Sequence, residues 1–230
     1  MQNTSSAVMQ QRHEALDSLD DFPTPPWATR ALVEHVLKAL PAGLNSRAVY
    51  EPACNRGFMA RPLAEYASTV HASDIFSYGW SGQERQVDFL FDEAPADVAE
   101  AWLVSNPPFA LAERFIAAGL DRGFAGIAMF VRTSFLEGVG RYEGIYSKRP
   151  PTIVAQFAER VILSKGVVRD PAVLYWDPDA DDGVGKWKKP STATSYCWLV
   201  WARGEAPGPM VWIPPCRKKL ERPGDYEVKP

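Results

Sequence analysis

Short apolar runs bounded by turn residues recur along this chain, and segments with apolar positions every three to four residues lie between them. Runs at Ala48–Glu51, Val70–Asp74, Trp102–Val104, Gly126–Val131, Ile153–Phe157 and Ser195–Trp201 predict buried strands. Ala31, Leu32, Val36, Leu37 and Leu40 mark one face of a helix over Ala28–Leu40. Helices are likewise predicted over Phe58–Tyr66 and over Ala110–Leu120, the latter with Phe115, Ile116 and Leu120 inward. Strands alternating with helices predict an α/β fold with a mostly parallel sheet and helices on both faces.

The periodicity fails in three places, and these divide the chain. Residues 1–21 show only a short helical piece around Arg12–Leu19 and are expected to form a flexible arm, able to close over a ligand. Phe22-Pro23-Thr24-Pro25-Pro26-Trp27 then gives a rigid entry to the first helix, with Thr24 as the candidate cap. The main domain is read as 22–203. Within it, 164–194 is too long and polar for a simple hairpin connection and is read as an insertion. Residues 204–230, Pro-rich with Arg217-Lys218-Lys219, are expected to form a loosely held basic tail with a short strand near Val211–Ile213.

Composition removes several function classes. At 230 residues and 46% hydrophobic, the chain can bury one substantial core. It contains no run of about 18 apolar residues and no apolar leader, so the expected place is the cytoplasm, without a membrane partner. Cys54, Cys197 and Cys216 lie far apart without CxxC spacing, which argues against a disulfide framework or a zinc site. The acidic run Asp177, Asp179, Asp181 and Asp182 lacks the later bidentate Glu and the helical flanks of a calcium loop. No metal is expected. The net charge of −3 hides a polarity: residues 1–130 carry 9 Lys and Arg against 16 Asp and Glu, whereas 131–230 carry 16 against 12. An acidic first half beside a basic second half suits a small-molecule site next to a phosphate-facing surface.

The candidate chemistry centres on Ser105-Asn106-Pro107-Pro108-Phe109. Two prolines stop the preceding strand from continuing and place Asn106 and Phe109 on a stiff loop at its carboxyl end, where open α/β sheets place ligands. In the amino-methyltransferases whose catalytic signature this tetrapeptide resembles, the target is an exocyclic amino group such as adenine N6, a poor nucleophile because its lone pair is delocalised into the ring. Two acceptors on its N–H bonds favour the pyramidal form, and the Asn106 Oδ1 and Pro107 carbonyl are candidates for those acceptors. Phe109 offers a face on which an extruded base can stack.

This tetrapeptide resembles the catalytic signature of S-adenosylmethionine-dependent amino-methyltransferases. Other segments resemble the same family in the order of its gamma-type DNA adenine-N6 members, and their wording is similar to compact phage and prophage forms. The resemblance covers roughly residues 22–201. It implies a class I methyltransferase Rossmann-like sheet of seven strands, the last antiparallel. Thr24-Pro25 is implied to touch the methionine end of the cofactor. Glu51-Pro52-Ala53-Cys54-Asn55-Arg56-Gly57 is implied to turn beneath its amino-acid moiety, with Asn55 standing where the family has its first glycine. Asn tolerates positive φ, so the turn is expected to survive. Asp74, 23 residues after Glu51 and followed by Ile75, is the expected ribose ligand. Asp88-Phe89 is implied to hold the adenine. This account requires the amide of Asn106 to face a site held over the first half of the sheet.

On the substrate side, Pro108 belongs to the catalytic loop. Arg132 is a candidate phosphate ligand or a solvated cation, and Phe135 a candidate base-packing ring or a loop anchor. The stretch from Gly138 to Arg149 contains Arg141 and Tyr142 and mixes aromatics with cations, a composition suited either to gripping a nucleic-acid strand or to a short amphipathic helix. The insertion carries Trp176, Lys186 and Trp187 and is a candidate recognition segment. The function implied is methylation of adenine N6 in DNA by base flipping. RNA adenine or protein glutamine N5 methylation is the alternative, as is a nucleic-acid-binding protein with a degenerate cofactor site. A nicotinamide oxidoreductase is disfavoured, because no GxGxxG follows the first strand.

Overall fold

The computed structural model describes residues 20–41, 43–44, 47–93, 96–181 and 183–226. The helical piece expected around Arg12–Leu19 lies outside the described residues. The elements in chain order are α1 (Pro26–His35), β1 (Ala48–Glu51), α2 (Ala60–Leu63), β2 (Thr69–Asp74), β3 (Arg85–Gln86), β4 (Trp102–Ser105), α3 (Ala112–Arg122), β5 (Gly126–Arg132), α4 (Val139–Arg141), β6 (Ile153–Phe157), β7 (Tyr175–Asp177), β8 (Lys186–Lys188), β9 (Tyr196–Ala202), β10 (Met210–Ile213) and α5 (Arg217–Leu220). Eight strands form one sheet in the order β10-β6-β9-β5-β4-β1-β2-β3. Only β9 runs antiparallel to its neighbours, fitting between β5 and β6. The order reverses between β1 and β4, and crevices at such a reversal are where ligands bind.

Period-two alternation explains the two-sided core. In β4, Trp102 and Val104 pack toward one face and Leu103 toward the other. β5 divides in the same way, with Ala128 and Phe130 on the first face and Ile127, Met129 and Val131 on the second. Likewise, β9 sends Tyr196, Trp198 and Val200 to the α1 face and Cys197, Leu199 and Trp201 to the α3 face. Because both faces are covered, these strands read as continuous apolar runs. Gly126 admits the Trp102 ring, which lies about 2.4 Å from where a Cβ would stand.

Three expectations need correction. Thr24 does not cap α1: the helix starts behind Pro25, and no side chain caps it. The helix predicted to run to Leu40 ends at His35 and tightens into a 3₁₀ turn over Leu37–Ala39. The tail is not loosely held. β10 adds an eighth strand in parallel to β6, and buried Arg30 of α1 reaches the Leu220 carbonyl (2.8 Å) and Asp225 (2.7 Å). The insertion folds back as its own two-stranded hairpin, β7 with β8. Among the described residues, no helix is long and apolar enough to cross a membrane.

Candidate active site

Parallel strands put their carboxyl ends on one edge of the sheet, so Glu51 (β1), Asp74 (β2) and Asn106 (after β4) converge although they are far apart in sequence. They line one cavity together with Thr24, Pro52, Ala53, Ile75, Asp88, Phe89 and Pro108. The lining includes the carboxyl groups of Asp20, Glu51, Asp74 and Asp88 and, among the described residues, no Lys, Arg or His. Thr24 Oγ1, Glu51 Oε2 and Asn106 Oδ1 are buried without a hydrogen-bond partner among the described residues. Buried polar atoms are normally paired, so three orphans on one cavity mark a site shaped for a polar ligand.

Burial pushes the Glu51 carboxyl well above its ordinary range, and the neighbouring charge of Asp74 adds to the shift. Asp74 is also raised, chiefly by burial, although its oxygens accept the Asn55 amide (2.9 Å) and the Phe76 amide (3.0 Å). Those two bonds fold the loops after β1 and β2 around a single carboxylate. Asn55 takes φ 51°, the left-handed conformation that the missing glycine would have supplied. Its side chain also ties the turn together: Oδ1 accepts from the Arg56 amide (2.7 Å), and Nδ2 donates to Asp21 (2.8 Å). Gly57 is absent from the cavity lining. Its φ is +76°, and a Cβ there would stand about 2.5 Å from the Trp80 ring, so its role is in the backbone. Pro25 precedes α1 and is likewise absent from the lining.

Asn106 is held by a strap, Asp20–Phe22, made of the last two residues expected in the arm and the first of the rigid entry segment. Its Nδ2 donates to the Phe22 carbonyl (2.9 Å). A carbonyl only accepts, so this bond fixes which way the amide is turned and leaves Oδ1 as its acceptor. The Phe109 amide donates to Asp20 Oδ2 at 2.5 Å, and the Phe22 ring stacks on Phe109 with centroids 5.7 Å apart. Asp21 bridges to Arg56 (3.0 Å), and its carbonyl accepts the Gly166 amide (2.9 Å). Asp20, Asp21 and Phe22 therefore join the turn after β1, the loop after β4 and the root of the insertion. The local signal was an acidic pair abutting a rigid proline segment, which by itself looks like a solvated end. The cavity encloses about 130 Å³, below the roughly 300–1,000 Å³ usual for small-molecule sites.

A second cleft, of about 160 Å³, is lined by Phe109, Ala112, Val131, Arg132, Ser134, Phe135 and Arg141. The Arg132 guanidinium lies over the Phe109 ring (3.9 Å) and Arg141 over Phe135 (4.9 Å). Arg141 is committed to Glu113 (3.0 Å) and to the Glu137 carbonyl (2.8 Å). Tyr142, 63% exposed, lines neither space, and Pro107 is buried in the loop between them. Among the described residues, no group of three His, Cys, Asp or Glu is arranged to hold a metal ion.

No family profile and no curated protein matches the sequence. In three dimensions it is similar to the type I restriction-modification system methyltransferase subunit from Streptococcus thermophilus, with a TM-score of 0.53, 10% identity and 91% of this chain covered. A modification subunit of a putative type I restriction enzyme from Vibrio vulnificus YJ016 gives a TM-score of 0.52 and 15% identity over 89% of this chain. The fold is that of class I methyltransferases. The chain spans about half the length of these two subunits, 50% and 48% respectively. Within this class I methyltransferase fold, residues after β1, β2 and β4 share the acidic cavity, and those after β5 share the cleft beside Phe109.

Proposed function

We propose that this chain binds S-adenosylmethionine in the acidic cavity and transfers its methyl group to an exocyclic amino group of a nucleic-acid base, adenine N6 in DNA. The observation that carries the reading is the cavity's acidic lining: four carboxyl groups, no basic side chain among the described residues and a buried Glu51 oxygen without a described partner. Such a lining suits a ligand bearing a sulfonium and an ammonium and repels the pyrophosphate of a nicotinamide dinucleotide. Glu51 and Thr24, with their unpaired oxygens, are assigned to the cofactor's polar groups. Asp74 and Ile75 are assigned to its ribose. Asp88 and Phe89, whose ring packs on Phe115 at 4.9 Å, are assigned to its adenine. When bound, the cofactor supplies an electrophilic methyl group.

The chain's own residues prepare the nucleophile. Asn106 Oδ1, turned by the Phe22 carbonyl, and the Pro107 carbonyl accept the two N–H bonds of the target amine and draw it toward the pyramidal form. Phe109 holds the base by stacking, and the prolines hold these groups in register. Adenine in DNA is favoured by the resemblance of the motif order, and a nucleic-acid target by the basic second half of the chain. The restriction-modification subunits that share the fold point the same way.

The test is incubation with tritiated S-adenosylmethionine and unmethylated DNA, then nucleoside analysis. The expected product is N6-methyladenine, lost by about 100-fold or more in Asn106→Ala, the scale of removing one aimed hydrogen-bonding group. Label released by ribonuclease or protease instead would reassign the substrate to RNA or protein. No label from wild-type protein with any of the three would sink the reading.

A further inference from the structure

The cleft beside Phe109 contains a cation with no counter-charge among the described residues. Arg132 makes no ion pair among the described residues, and its buried Nε has no hydrogen-bond partner. Its cleft neighbour Arg141 is fully engaged by Glu113 and Glu137. Arg132 ends β5 on the same sheet edge as Asn106, and its guanidinium covers the ring on which a target base is proposed to stack. A planar cation on an aromatic ring mimics the shape of a stacked base and is held only by the ring's quadrupole. A phosphodiester offers the same guanidinium two oxygens in a charge-assisted fork, a stronger partner than the ring.

We propose that Arg132 is the phosphate ligand of the target nucleotide and, in the absence of substrate, the placeholder of its base. Arrival of the nucleotide moves the guanidinium from Phe109 to a backbone phosphate, so that one motion uncovers the stacking ring and anchors the sugar-phosphate chain. This rests on the proposed methyl transfer to nucleic acid and adds to it a named anion site and an order of events. The ligand class is a nucleoside phosphate within a polynucleotide.

The test uses the full chain with 2′-deoxyadenosine, its 5′-monophosphate, inorganic phosphate and a mixed-sequence duplex as probes, against Arg132→Gln and Arg132→Lys. In wild type the monophosphate is expected to bind about tenfold more tightly than the nucleoside, with that preference absent in Arg132→Gln. The slope of log affinity for the duplex against log salt is expected to become shallower by about one in Arg132→Gln and to recover in Arg132→Lys. Recovery with Lys shows that charge, and not misfolding, is responsible. In ¹⁵N-arginine spectra the Arg132 Nε–H signal should be shifted upfield by the Phe109 ring, lose that shift in Phe109→Leu, and move downfield when the monophosphate or duplex is added.

An unchanged salt slope in Arg132→Gln overturns the inference. A response to inorganic phosphate alone, with monophosphate and duplex affinities untouched by Arg132→Gln, does so as well. Methyl transfer with an unchanged slope would defeat this inference alone. A changed slope without any transferred label would defeat the methyltransferase reading and leave the anion site standing.

Discussion

Glu51 concentrates the electrostatics of the cavity in one carboxyl group, raised by burial and then by Asp74. A carboxyl whose folded-state pKa lies above its unfolded value stabilises the fold while protonated, and that contribution is lost as pH rises through the folded value. The ligand-free protein is therefore expected to lose thermal stability as pH climbs out of the ordinary carboxylate range and through the raised Glu51 value. Glu51→Gln should remove that decline, raising the midpoint by about 2–4 °C for each kcal/mol recovered, while weakening the binding of a cationic cofactor. Cofactor binding to wild type should release protons, read as a calorimetric enthalpy that depends on the buffer's ionisation enthalpy. The variant should release fewer, and equal release from both would remove Glu51 from this role. At this scale local chemistry was readable. Asn55 could be expected to adopt positive φ because its short polar side chain tolerates it. That the same side chain would reach Asp21, 34 residues away, could not be read locally.

The elements divide by how they hold together. β5 and β9 are registered over seven residue pairs and are apolar on both faces, so their apolar runs announced them. The hairpin of β7 and β8 pairs only three residues and was hidden in a polar insertion. It exposes Trp176 and Trp187, packed edge to face at 5.7 Å, with Gly185 making room for the Trp176 ring. Its lysines are largely neutralised, Lys188 by Asp177 (3.0 Å) and Lys186 by Asp181 (3.4 Å). If this segment meets nucleic acid, stacking rather than charge must carry the contact. Trp187→Ala is thus expected to lower duplex affinity roughly 5–150-fold, the range for one stacked base, while leaving the salt slope unchanged. The thermal midpoint should stay within about 2 °C, as for other surface substitutions. A shallower slope would mean that the hairpin acts through its charges, contrary to this prediction.

At the scale of the whole molecule, the chain closes on itself through Arg30. This buried guanidinium joins α1, Glu65 behind α2, and Asp225 near the far end of the chain. Removing one member of a buried ion cluster strands the others, so Asp225→Ala is expected to cost about 3–5 kcal/mol. That corresponds to a fall of roughly 6–20 °C in the midpoint, measurable by calorimetry. A drop below about 2 °C would show that the tail is dispensable. Because Thr24 lies two residues before the helix that Arg30 anchors, the same variant should also weaken cofactor binding.

Sequence alone determined what depends on near neighbours. Period-two and helical patterning marked six strands of the main sheet, the proline pair ended β4, and the resemblance carried by the short motifs implied the class I methyltransferase fold. These features are local because pleat, helical pitch and proline geometry act over a few residues. Tertiary structure decided what depends on closure over long separations: the Asp20–Phe22 strap on Asn106 and Phe109, the docking of β10 and Asp225, and the Arg132 guanidinium on Phe109. Such contacts exist only after the sheet has brought its carboxyl ends to one edge, and no periodicity in the chain encodes which distant groups will meet there.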